Sequence, residues 1–250
     1  MNFEKELLLS AARKSWKMST THGTEYDRDY KNNKQSAAWD SVWKRDKYKC
    51  YYCNFISKKY QEIHHLNDDH EDNSPDNLVT VCPLCHQNFH LDTASVTSGG
   101  KIIWLPEFSQ QELNYLCRAL FIAIEEDEEF KQKEIKKESG VTLEKGEDKE
   151  QVAFAKIARV LQSSLEERSL VVEQHFRGNS SDPGIFANAL INMTDEMYNK
   201  RREFLQSFKL LHLSSRFPVQ TKYWKKSLFK ELPIQSWENL IKKEKNTKET

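Results

Sequence analysis

Short apolar stripes alternate with long charged stretches along the chain, and their spacing predicts its elements. Trp39, Val42 and Trp43 recur at three- and four-residue intervals, the signature of a helix face, just ahead of a cysteine pair. YQEIHHL, with Ile63 and Leu66, and NLVTVC, rich in β-branched residues, each read as a short strand, and the turn-rich NDDHEDNSPD joins them. Pro83 suits the first turn of a helix, PLCHQNFHLDT. Farther on, Ser109-x-x-Glu112 forms a capping box ahead of one helical stripe, Leu113, Leu116, Cys117, Leu120, Phe121 and Ile124. Residues 152–176 read as one long helix, and Asp182-Pro183 as a helix start. Thr194 caps a helix carrying Met197, Phe204 and Phe208, and Tyr223, Trp224, Leu228 and Phe229 mark a last helical segment. Such stripes serve as core or, alternatively, as a groove for a partner.

Composition narrows the class. The 250 residues carry 38 Lys plus Arg against 38 Asp plus Glu, which excludes an all-over nucleic-acid coat. With 13 Phe, 9 Tyr and 6 Trp the chain can fill a core despite being only 38% hydrophobic, so wholesale disorder is excluded too. The longest apolar run, 119–124, falls far short of the roughly 18 residues a spanning helix needs. The start MNFEKELLLSAARK is too charged for a signal peptide. A cytoplasmic protein with reduced cysteines and no membrane insertion is expected. Charge is nevertheless segregated: residues 200–250 net +8, from 13 basic and 5 acidic side chains. Solvated helix faces explain such a pattern, with a basic binding patch as the alternative.

These shifts suggest an N-terminal segment 1–35, a metal-binding module 36–105 and a helix 106–130 packed on it. A charged linker or insertion, 131–150, a helical region 151–235 and a C-terminal helix end with basic tail, 236–250, follow. The charged stretch 125–150 reads as a helix extension fraying into a linker, and the tail IKKEKNTKET as disordered.

The chemistry lies upstream of that linker. Cys50 and Cys53 form one C-x2-C knuckle and Cys82 and Cys85 a second, with 28 residues between them. A two-residue spacer lets both sulfurs of a pair turn toward one ion, so four thiolates in two knuckles point to a structural tetrahedral zinc site. Four thiols buried in a reduced core are the bland alternative. Cys117 stands on the apolar stripe, where packing is its expected role. His86 and His90 are four apart on the expected helix and share one face, a spacing that can chelate a metal. His70 falls in the loop and is expected to be exposed.

Across residues 47–91 the chain resembles the HNH, or ββα-metal, endonucleases. The resemblance is carried by the paired histidines, Asn77-Leu78 at the second strand, and the C-P-L-C-H-x3-H ending. It implies that His64, His86 and His90 bind a second divalent metal (Zn, Ni, Mn or Mg). It also implies that His65 acts as the general base that activates water and that Asn77 braces the loop carrying it. Imidazoles suit zinc or a neighbouring transition metal better than Mg. Adjacent residues of a regular strand point to opposite faces, so His64 and His65 share a site only at a strand end or irregularity. Histidines that merely pack beside a zinc knuckle are the alternative. No Lys or Arg occurs from 61 to 100, while Glu62, Asp68, Asp69, Glu71, Asp72 and Asp76 crowd the loop. Phosphate binding needs basic contacts, so DNA binding is expected to be weak.

A second resemblance covers more of the chain, about 170 positions in the same order. NLVTVCPLC, SGGKIIWLPEFSQQELNYLCRALFIAI, SDPGIFANALINM and LLHLSSRFPVQTKYW, in that order, are similar to the DotN (IcmJ) proteins of the Dot/Icm type IVB secretion system. These are cytoplasmic components of a coupling complex that combine an HNH-like zinc fold with a helical region and bind the C-terminal tail of the coupling ATPase. Residues 131–168 look like an insertion relative to that family, and His64, His65, His86 and His90 are kept. The resemblance implies an α+β fold, an HNH-like ββα zinc module followed by a mainly α-helical region. It further implies an adaptor on the coupling ATPase, recruited to the inner face of the inner membrane. The competing class is an active metal-dependent DNA endonuclease.

Overall fold

A computed structural model describes residues 5–11, 13, 33–138, 148–176 and 179–229. The expected tail at 241–250, most of the N-terminal segment and linker residues 139–147 lie outside the described residues. Helix α1 (Asn33–Arg45) buries Val42 and Trp43 on Ile63 and Leu78, with Trp39 and Tyr48 at the edge of the cluster. Strands β1 (Glu62–His65) and β2 (Leu78–Val81) form the expected antiparallel hairpin, with Ile63 opposite Thr80 and His65 opposite Leu78. Arg45 fastens helix to hairpin: its guanidinium donates to the carbonyls of Pro75 and Leu78, each at 2.6 Å.

The helix expected over PLCHQNFHLDT is two short ones, α2 (Pro83–Gln87) and α3 (Leu91–Val96). The Asn88 side chain donates back to the Leu84 carbonyl at 2.8 Å, and its N–H bonds to Cys85 O in a tightened turn. His90 then leaves helical space, at φ −130° and ψ 59°, before α3 begins.

Strand β3 (Gly100–Trp104) comes next, followed by the helices α4 (Gln110–Glu138) and α5 (Asp148–Glu167). Then come α6 (Ser169–Phe176), α7 (Pro183–Ile191), α8 (Asp195–Asn199) and α9 (Arg202–Leu205). Strand β4 (Phe208–His212), a 3-10 turn (Ser214–Arg216) and α10 (Pro218–Ser227) complete the described chain. The protein is therefore α+β, with two two-stranded antiparallel sheets among the described residues.

Local signals read correctly include the capping box, in which Ser109 N–H donates to Glu112 at 2.8 Å and Glu112 N–H to Ser109 Oγ at 3.2 Å. Asp182 caps α7 and Thr194 caps α8 as expected. Three further readings change. The helix of 152–176 breaks at Arg168, whose carbonyl accepts from Trp104 N–H and whose guanidinium grips Glu107 at 2.9 to 3.1 Å. The helix expected from Thr194 through Phe208 is two single turns, and Phe208 opens β4 opposite Trp104. The last helix ends at Ser227, so Leu228 and Phe229 lie just past it. In β4 every residue is buried, leaving no alternation for sequence to display. At Gly100, where β3 meets β4, an added Cβ would stand 2.7 Å from Leu210 Cδ1 and 3.0 Å from the Leu211 carbonyl oxygen, so the neighbours would have to give way.

Contacts divide the chain into two units, Met1–Tyr115 with Glu167–Arg216, and Leu116–Glu166 with Phe217–Thr250. In the first, Leu91, Ala94, Ile102, Val172, Leu190, Leu205 and Leu210 gather into one core. In the second, the Arg118 guanidinium lies 5.4 Å from the Trp224 ring centre and Phe121 stacks on Phe217 at 5.9 Å. No helix of the described residues is long and apolar enough to cross a membrane.

Asp182 accepts the N–H of Gly184 at 2.6 Å, one of the donors a helix start leaves without an intrahelical partner. Asp182→Ala is expected to lower stability by about 1 kcal/mol, read from urea unfolding, with no change in bound metal.

Candidate metal centre

Each cysteine pair is set by local backbone geometry. Asn54 N–H bonds to Cys50 O at 2.9 Å and Cys50 N–H to Phe55 O at 2.8 Å, folding the first knuckle into a tight loop. Asn54 takes a left-handed conformation, φ 62°, a region asparagine tolerates better than most residues. Tyr51 N–H bonds to Thr80 O at 2.8 Å, tying that loop to β2. The second knuckle begins where β2 ends: Cys82 is the N-cap of α2, Pro83 supplies the first turn, and Cys85 is carried around on the helix.

The hairpin thereby brings Cys50, Cys53, Cys82 and Cys85 together, all buried, with sulfurs within 4.8 Å of one another. Cys53 Sγ and Cys82 Sγ are 3.7 Å apart. A disulfide needs about 2.05 Å, whereas sulfurs each about 2.3 Å from a tetrahedral zinc stand about 3.8 Å apart. The donor set fits a zinc ion, and the four cysteines could hold one. Burial pushes the Cys85 thiol well up, and its hydrogen bonds with Cys50, Cys53 and Cys82 add to the effect. Only a cation shared by the four would favour their ionised form.

Helix α4 supports both knuckles with side chains that spacing arguments did not single out. Tyr115 Oη donates to the Cys53 carbonyl at 2.5 Å, and Asn114 Nδ2 donates to Cys85 Sγ at 3.3 Å. The available signal was a polar residue in register with the apolar stripe, since Asn114 precedes Cys117 and Phe121 by three and seven positions. Cys117 itself is buried and stands outside the four-sulfur cluster.

Beside this centre the histidines converge. His86 Nε2 lies 3.2 Å from His90 Nε2 despite the helix break between them. The His64 ring centre is 5.5 Å from that of His86 and stacks on Phe89 at 4.1 Å. His65 is the last residue of β1, so the chain turns immediately after it, and His65 and His64 both join the cluster. Two participants were not anticipated. His70 is exposed, as expected, yet its ring centre lies 5.0 Å from His65 and 6.2 Å from His90. Glu62 Oε2 lies 2.6 Å from His86 Nδ1, holding that ring so that Nε2 faces His90. Glu62 and His64 are two apart on β1 and so share a face, which is the signal that could have paired them. Burial first, then the neighbouring His86, His65 and His70, push His64 down to about 2. Burial also lowers His65, opposed by its contact with Asn73. Both imidazoles are therefore neutral near pH 7.

Asn77 spans the loop between the strands. Its Oδ1 accepts from Asn67 N–H at 3.0 Å and its Nδ2 donates to Asp72 O at 2.8 Å. The loop carboxylates build turns: Asp69 accepts from Glu71 N–H at 3.0 Å and Asp72 from Ser74 N–H at 3.1 Å.

Fold and site together define an α+β protein with a buried four-cysteine cluster able to hold a metal ion. No family model matches the chain. Over 229 residues it is 30% identical to the Type 4 apparatus protein DotN of Legionella pneumophila, covering 91% of this chain and 92% of that one. The chain belongs to the DotN family.

Protein purified without chelators is expected to carry one zinc per chain by elemental analysis after gel filtration. Less than about half an equivalent would refute this, since structural sites of this kind bind with about 10 kcal/mol or more. Cys50→Ser should misfold, whereas Cys117→Ser should leave the zinc content unchanged.

Proposed function

We propose that the protein is a zinc-stabilised adaptor in the coupling complex of a type IVB (Dot/Icm) secretion system. In this reading it is cytoplasmic and held at the inner face of the inner membrane by its complex. There it binds the C-terminal tail of the coupling ATPase and other coupling-complex proteins. The observation that carries the reading is the end-to-end similarity to a type 4 apparatus protein, 91% of one chain matched to 92% of the other. Residues 36–105 form an HNH-like ββα module whose Cys50, Cys53, Cys82 and Cys85 hold a structural zinc, and the helical remainder supplies the docking surface.

The electrostatics support assembly over DNA chemistry. Residues 61–100 carry no Lys or Arg, Glu71 and Asp76 are exposed on the loop between β1 and β2, and Asp69 and Asp72 act on His65. A phosphate backbone brought there would meet negative charge, and binding to DNA is weak in this reading.

A metal-dependent endonuclease is the second reading, favoured by the carboxylate-oriented His86 beside His90. A carboxylate on one ring nitrogen fixes the tautomer that offers the other to a metal. His64, His86 and His90 would hold the second ion, which would supply Lewis acidity, and His65 would take the proton from water. Titrating the zinc-loaded protein with Mn or Ni should reveal one further binding event that His86→Ala removes. Equal binding by the variant would make these histidines structural.

The two readings separate by salt and by mutation. Copurification with the coupling ATPase tail should persist at about 0.3 M salt, where the Debye length is below roughly 8 Å, while duplex DNA binding should be lost. His65→Ala should leave substrate transfer intact and Cys82→Ser should abolish it by unfolding the module. Transfer lost in a folded, partner-binding His65→Ala protein would promote the endonuclease.

A further inference from the structure

The amide of Asn114 is buried and its orientation is set by a neighbouring amide. Gln110, one turn earlier on α4, pairs with β4 in both directions: Leu210 N–H donates to Gln110 Oε1 and Gln110 Nε2 donates to Leu210 O, each at 2.9 Å. That pairing fixes which end of the Gln110 amide is oxygen. Its Nε2 also donates to Asn114 Oδ1 at 2.9 Å. His212 Nε2 meets the same oxygen at 3.1 Å, while its Nδ1 lies 2.8 Å from Gln87 Oε1 on α2. With Gln110 donating to its oxygen, the Asn114 amide turns its N–H toward Cys85 Sγ, 3.3 Å away. Gln110, Asn114, His212 and Cys85 are all almost wholly buried, so no water competes for that donor.

A zinc held by four thiolates leaves two net negative charges in a buried site, and such charge is costly without nearby donors. We propose that Asn114 is a positioning residue for the four-cysteine centre, donating to the Cys85 sulfur so as to draw charge from it and slow loss of the metal. The proposal rests on the zinc reading above. Protonation or displacement of a zinc-bound thiolate begins at its most electron-rich sulfur lone pair. An N–H aimed at Cys85 occupies such a lone pair and lowers its energy. Gln110 acts one step behind, keeping the amide from flipping its oxygen toward the sulfur, where it would repel the thiolate. Through Gln110 the metal centre is tied to Leu210 of β4, distant in sequence.

The test uses the full chain and two readouts that loss of packing alone would not move together. The first is the rate of zinc transfer to a chromophoric chelator. The second is the sulfur-to-metal charge-transfer band of the protein loaded with Co(II). Asn114→Leu, close in volume but without the N–H, is expected to retain one zinc and to release it roughly tenfold faster, the scale on which outer-shell partners act. Its Co(II) band should shift to lower energy, because the sulfur donor orbital rises. Leu113→Ala, which removes packing from the adjacent buried position, should lower thermal stability and leave the band unmoved. Should Asn114→Leu fail to fold, Asn114→Ser, whose hydroxyl is too short to reach the sulfur, takes its place with the same expectation. A folded variant with unchanged release rate and band position would overturn the proposal and leave Asn114 a packing residue. A parent chain that binds less than about half an equivalent of zinc would instead defeat the zinc reading on which the proposal stands.

Discussion

Four buried sulfurs within 4.8 Å of one another are the constraint on which the rest of the first unit depends. As thiols they form only weak hydrogen bonds, and as thiolates they repel one another unless a cation sits among them. Bringing them together requires the left-handed turn at Asn54, the β1–β2 hairpin, and a helix beginning immediately after Cys82. These elements are too short to be stable alone. A hairpin of four-residue strands and a five-residue helix become persistent when cross-linked and packed on a larger core. Here α1 covers the hairpin through Val42 and Trp43, while Tyr115 and Asn114 hold one knuckle each.

The same hairpin sets a second polar centre close to the first. Histidines 64 and 65 arrive on the end of β1, 86 on α2, 90 from the break after it, and 70 from the loop. Cys85 and His86 are consecutive on α2, about 100° apart around its axis, so one helix serves both centres. Glu62 orients His86, and Asn77 with the loop carboxylates shapes the segment that brings His70 in. Acidic residues that look like a repulsive coat in the sequence are partly spent on backbone N–H groups, as with Asp69 and Asp72.

Much of the protein is legible from sequence because the decisive signals are short-range. The two C-x2-C spacings, the β-branched NLVTV, the Ser109–Glu112 box, Asp182-Pro183 and Thr194 each act within a few residues, and each appears where expected. The distributed similarity to the DotN family was legible for another reason, since it depends on the order of segments and needs no geometry.

Tertiary structure decided the remainder. β4 pairs with β3 across more than a hundred residues, and that pairing, together with complete burial, makes a strand of a segment whose Phe208 suited a helical stripe. Arg168 interrupts a helix because Trp104 and Glu107, far earlier in the chain, claim its carbonyl and guanidinium. Asn88 ends α2 by bonding back to Leu84, a choice local propensity leaves open. Glu62, His70 and Asn114 acquired partners only when the strands and α4 were placed, because a hydrogen bond is defined by where two groups meet in space and their separation along the chain is silent on it. Sequence by itself determined which side chains could bind a metal and which turns would present them; packing decided which of them face one another and which neighbours orient them.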